Sequence, residues 1–139
     1  MEDIDRRSAL AFGLTVAATP MLAWPTPARA ETYGPEDGKE LFPGVRLVDL
    51  GKRESTIPAY KNIAMADVIF QPGGIYPEEV MPNDSVCHVT EGELQIKQGS
   101  VEFTCKKGDV YSCGKGTKEQ ATNAGNAVAV MRAIDLLPA

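Results

Sequence analysis

Histidine is nearly absent from this chain: His88 is the only one among 139 residues, so no site built on several imidazoles exists. Tryptophan also occurs once, and phenylalanine and tyrosine four times each, too few for a large aromatic core or a row of base-stacking rings. Basic residues are in the minority, 14 Lys and Arg against 19 Asp and Glu, for a net charge of −5. An acidic domain with scattered lysines does not suit phosphate backbones or anionic membranes, so nucleic acid is not an expected partner. Past the N-terminus no segment keeps a 3.6-residue apolar period over three turns, which excludes a substantial helix. The one long apolar run, Ala9 to Trp24, falls short of the ~20 residues that span a bilayer.

That run has the anatomy of a targeting segment. Arg6-Arg7 precede it, Pro25 and Pro27 break it, and Ala28-Arg29-Ala30 places small residues where a signal peptidase acts. Residues 1–30 are therefore expected to be cleaved, leaving a periplasmic or otherwise exported domain without a stable membrane anchor. Arg6-Arg7-Ser8-Ala9-Leu10 resembles the Arg-Arg-x-Phe-Leu core of a twin-arginine signal, with Ala9 in place of Phe. Such signals export chains that have already folded.

Residues 31–40 are polar, contain Gly34, Pro35 and Gly38, and read as a flexible arm. Residues 41–139 break into short apolar runs divided by Gly, Pro, Asn and Asp, the all-β pattern. The runs are Val45–Leu50, Asn62–Phe70, Ser85–Thr90, Glu93–Lys97, Val101–Cys105, Asp109–Cys113, Gln120–Asn123 and Ala127–Ile134. Eight or so strands at this spacing suit a sandwich or a small barrel. A domain of about 100 residues is marginal for burying a core, and open sheet edges need cover, so a homodimer is expected.

The glycines stand in a specific frame. From Gly73, the chain reaches Glu79, Met81, Ser85 and Gly92 at the spacing Gly-x5-His-x-His-x3-Glu-x6-Gly. From Gly108, it passes Gly114, Gly116, Glu119 and Asn123 at the spacing Gly-x5-Pro-x-Gly-x2-His-x3-Asn. In this frame the chain resembles the cupin superfamily, whose two motifs these are. The resemblance implies an all-β, single cupin jelly-roll barrel, with Gly92 and Gly108 at hairpin turns and Gly116 letting its loop lie close against the barrel mouth.

It also implies a site. In that family, three imidazoles and a carboxylate point into the barrel and hold a divalent metal. Here Glu79, Met81, Ser85 and Glu119 occupy the four positions. Met81 suits soft ions, Glu79 and Glu119 suit hard ones, and the Ser85 hydroxyl suits neither, so a weakly bound divalent metal held by Glu79, Met81 and Glu119 is the most the set offers. Two carboxylates facing each other act as an acid–base pair on a small substrate, or grip a cationic ligand.

Strand alternation from Ser85 places Cys87 on the same inward face and His88 on the other. Cys87 with Met81 forms the one thiol-and-thioether route to copper. Of the three cysteines, one pair among Cys87, Cys105 and Cys113 can bridge in an oxidising compartment. Tyr76, Pro77 and Glu78 flank Glu79 and, with Tyr111, are candidates for the pocket mouth. Candidate ligand-binding residues are thus Glu79, Met81, Ser85, Cys87, Tyr111 and Glu119. Two functions remain open: a small-molecule binding domain with a degenerate metal site, and a lyase or isomerase using Glu79 and Glu119 as an acid–base pair or a weakly held divalent metal. An enzyme needs both carboxylates in one closed pocket; a binder needs neither.

Overall fold

The computed structural model describes residues 30–138. The expected leader and its cleavage box lie outside these residues, apart from Ala30. Ten strands follow: β1 (Lys39–Phe42), β2 (Val45–Glu54), β3 (Tyr60–Phe70), β4 (Ile75–Val80), β5 (Asp84–Glu91), β6 (Glu93–Gln98), β7 (Val101–Lys106), β8 (Val110–Cys113), β9 (Lys118–Thr122) and β10 (Ala129–Pro138). They form two antiparallel sheets, one in the order β1-β2-β3-β10-β5-β8 and one in the order β4-β9-β6-β7. The eight apolar runs all become strands, and no helix occurs among the described residues.

The core follows from alternation. Val68 and Phe70, Cys87 and Val89, Leu94 and Ile96, and Ala129 and Met131 are buried between the sheets; the residue between each pair is polar on β5 and β6 (His88, Gln95) but apolar and buried on β3 and β10 (Ile69, Val130). Phe70 is wholly buried and is one of the largest side chains there. Burying such side chains contributes roughly 1.5–3 kcal/mol each, so the inter-sheet layer outweighs any single polar contact.

Two strands were not expected. Pro77 disqualifies Ile75–Val80 as a central strand, but β4 is an edge, and the β4–β9 register shifts between Tyr76 and Glu79. Pro77 therefore sits in a bulge, where its missing N–H costs no ladder bond. β1 occupies the end of the expected arm. The rest of that arm is seated on the outer face of the six-stranded sheet. Ala30 is buried with Ile69, Val128 and Val130, and Tyr33 packs against the same group. The Tyr33 hydroxyl donates to Asp67, which also accepts from Nε and Nη2 of Arg132, each at 2.9 Å. Arg46 meanwhile donates to the carbonyls of Glu36, Asp37 and Gly38.

The glycine roles also need correction. Gly92 has φ +66°, but it is no hairpin turn: it is the corner where the chain leaves β5 in one sheet and enters β6 in the other. A Cβ there would sit 2.5 Å from the Val128 carbonyl oxygen. Gly108 likewise joins strands of different sheets. Gly116 has φ +88° and open space around it, so it serves conformation and not close approach. Asn123 is 1% exposed and staples the loop before β10, donating to the carbonyls of Phe70 at 3.0 Å and Ala127 at 2.8 Å.

Candidate functional site

A cavity of about 210 Å3 opens at one end of the barrel. Its apolar wall comes from both sheets, with Leu47, Val68, Ala121, Met131 and Ala133 prominent. Glu79, Met81, Ser85, Cys87 and Glu119 all line it, so the structure brings together five of the six candidate residues. Tyr111 is the exception. It is packed edge-on against Phe103, and its hydroxyl is directed at the Met131 sulfur, 3.0 Å away. Burial pushes its ionisation far above the ordinary tyrosine value. Tyr76 lines the cavity, whereas Pro77 and Glu78 do not.

Glu79 and Glu119 are directly opposed across the β4–β9 pair, in unlike surroundings. Glu79 is exposed at the rim, with the Tyr76 hydroxyl 3.4 Å from its Oε2. Glu119 is 7% exposed, and its Oε1 accepts a 2.8 Å hydrogen bond from Gln98 Nε2. Cys113 adds a thiol contact to the same carboxylate. Met81 is held through its backbone by reciprocal 2.8 Å bonds with the loop at Gly116 and Thr117. Asp84 pins the same loop by accepting from the Lys115 amide, and also takes the Tyr60 hydroxyl.

A third carboxylate was missed. Asp135 lines the cavity from β10, paired in register with Ser85 of β5. The residue is exposed overall, but the cavity wall desolvates its carboxyl enough to push the pKa above the ordinary aspartate value. Alternation carried past Met131 and Ala133 would have found it. The Tyr76 hydroxyl lies within the field of all three carboxylates; its pKa is raised by burial first and then by Glu79, Asp135 and Glu119. No Lys, Arg or His of the described residues lines the cavity.

The donor set does not fit a tight divalent site. Among the described residues, no three His, Cys, Asp or Glu side chains converge as metal ligands. Burial pushes the Cys87 thiol up to about 12, which disfavours the thiolate that copper would need. His88 is on the opposite face of β5, beside Arg132. All three cysteines are free and buried. Cys87 faces Tyr111, Cys113 faces Ser85 and Cys105 faces Leu94, so no two are cross-strand partners.

No protein-family model matches the sequence, and no curated protein matches it. Solved structures do. An RmlC-like cupin from Shewanella frigidimarina NCIMB 400 superposes with a TM-score of 0.60 at 15% identity, over 82% of this chain and 96% of that one. KdgF from Halomonas sp. gives 0.58 at 15% identity, over 72% and 86%. The cupin domain of Schizosaccharomyces pombe Cnp3 gives 0.57 at 16%, over 67% of this chain and 64% of that domain. At these identities the likeness is one of fold: the barrel is a cupin jelly roll.

Proposed function

We propose that this chain is a small exported cupin-fold domain that binds a small molecule in its barrel cavity without turning it over. The observation that carries this is the convergence of Glu79, Met81, Ser85, Cys87 and Glu119 on one apolar-walled cavity. At about 210 Å3 it lies below the ~300–1,000 Å3 of ordinary ligand pockets, so the ligand is small. Binding is favoured over lyase or isomerase chemistry because Glu79 stands exposed at the rim, where an acid–base pair needs both members enclosed. Export rests on the Arg6-Arg7 pair, the short apolar run and the Ala28-Arg29-Ala30 box. Homodimerisation rests on the small core and on apolar side chains left exposed near strand ends, such as Val80, Val101 and Val110.

The test is extraction of small molecules from protein isolated from the export compartment, followed by mass spectrometry. Wild type should carry a molecule that an Ala133→Phe variant, with the cavity filled, has lost. Identical extracts from the two proteins would defeat the proposal.

A further inference from the structure

The cavity's electrostatics are one-sided. Glu79 enters from β4, Glu119 from β9 and Asp135 from β10, and no basic side chain among the described residues answers them there. Surface acids need no partner, but Glu119 is 7% exposed, and its donors, the Gln98 amide and the Cys113 thiol, are both neutral. Below the carboxylates the wall is apolar: Leu47, Val68, Ala121 and Ala133, with the thioethers of Met81 and Met131. The half-buried Tyr76 ring lines the cavity, held edge-on by Phe42 at 5.0 Å.

We infer that the molecule held in this cavity is a small organic cation: an ammonium group beside Glu119 and Asp135, with a short apolar body against the Val68–Met131 wall. The inference rests on the cavity being a binding site and adds the class of ligand. An anion would meet three carboxylates and no cation, and like charges brought together oppose binding. A neutral molecule of the same shape would fill the wall but leave the buried carboxylate facing no opposite charge. A compact metal ion would leave the apolar wall unused and finds no three converging ligands. An ammonium answers the carboxylates while its carbon body covers the wall, and the Tyr76 face adds cation–π attraction.

The test uses the full chain with three four-carbon probes, n-butylammonium, 1-butanol and butyrate, and with Mg2+ and Mn2+ at constant ionic strength. Binding is read from the methyl NMR signals of Met81 and Met131, which report the cavity wall directly, and from the rise in Tm with ligand concentration. Butylammonium should shift both methyls and bind at least about tenfold more tightly than butanol, with butyrate weakest. Asp135→Asn and Glu119→Gln should each reduce that preference about tenfold, and Asp135→Asn, nearer the mouth, remains informative if Glu119→Gln folds poorly. Butanol or butyrate matching butylammonium would overturn the ligand class and leave the cavity as a binding site. Response to the divalent ions alone would overturn it in favour of a metal. If no probe of any charge moves either methyl, the cavity itself is not a binding site, and both conclusions fall.

Discussion

Glu79 and Glu119 share one rung of the β4–β9 ladder, yet Glu79 is open to solvent while Glu119 is buried and hydrogen-bonded to Gln98. Their inequality follows from the sheet. β4 is an edge strand interrupted by the Pro77 bulge, whereas β9 is flanked on both sides. The inner carboxylate therefore depends on its amide partner. Gln98→Ala should destabilise the domain by about 1–2 kcal/mol, because a hydrogen bond to a buried charged group is lost. Glu79→Gln should change stability by less than about 0.5 kcal/mol, as exposed substitutions do. Urea unfolding of the two variants checks the contrast, and equal effects would contradict the assigned burial.

The seat of residues 31–38 depends on Asp67. Burial opposes its ionised form, but the hydrogen bonds from Arg132 and Tyr33 prevail and hold its pKa below the ordinary aspartate value. A carboxylate depressed in the folded state contributes stability above its unfolded pKa of about 3.9 and loses it as pH falls through the lower folded value. Arg132→Leu should cost about 3 kcal/mol at pH 7 by stranding the buried charge. The deficit should shrink as Asp67 is protonated below pH 4. Tyr33→Phe should cost about 1 kcal/mol and speed amide exchange in residues 31–38. A deficit for Arg132→Leu that stays constant from pH 7 to pH 3 would contradict this linkage.

Asp135 reverses that sign. Desolvation by the cavity wall raises its folded pKa, so the folded state binds the proton more tightly than the unfolded chain. Stability from this group is present below the unfolded value and is lost as pH rises through the folded one. Asp135→Asn should therefore have a higher Tm than wild type at pH 7, with the gap closing towards pH 3. Thermal scans across that range decide the matter, and a lower Tm for the variant at pH 7 would show that the carboxylate supports the fold.

The barrel was readable in the sequence because its markers are backbone devices. Gly92, Gly116 and Asn123 fix positive φ or staple a loop whatever the neighbouring side chains do, so their spacing is legible although Glu79, Met81, Ser85 and Glu119 stand at the frame's ligand positions. Their exact roles were less readable, since a positive φ marks a corner between sheets and a hairpin alike. β4 escaped because Pro77 is forbidden in a regular ladder and harmless in a bulge, and a bulge is a pairing property that one strand's sequence does not carry. Glu79, Met81, Ser85 and Glu119 were found through their places in the motif frame that the chain resembles. Asp135 was missed because its polarity ended the apolar run one step before the inward position it occupies.

The buried thiols give a chemical test of the core. Cys87, Cys105 and Cys113 are enclosed, and burial raises the pKa of each thiol, to about 12 for Cys87 and Cys113. A thiol reacts as its thiolate, so both access and ionisation protect these groups. Native protein at pH 8 should react with an aromatic disulfide reagent only at its rate of opening, and all three thiols should react at once in denaturant. Rapid labelling of one thiol in the native state would mark a route into the cavity, whose wall includes Cys87.

Two glycines separate a clash from a conformational cost. At Gly116 an added methyl meets nothing within 4 Å, so Gly116→Ala carries only the strain of an L-residue at φ +88°, about 1–2 kcal/mol. At Gly92 the methyl would meet the Val128 carbonyl oxygen at 2.5 Å and the Ala129 Cα at 2.9 Å. Both contacts are with the backbone leading into β10, the strand that pairs with β3 and β5 in the centre of the large sheet. Neither can turn aside as a side chain would, so relief requires moving β10, and with it Met131, Ala133 and Asp135 on the cavity wall. Gly92→Ala should thus cost more than Gly116→Ala by at least about 1–2 kcal/mol, the scale of overpacking in a close-packed interior. It should also displace the Met131 methyl resonance, which Gly116→Ala should leave in place. Equal losses of stability, with Met131 undisturbed in both, would mean that the corner at Gly92 is looser than its contacts imply.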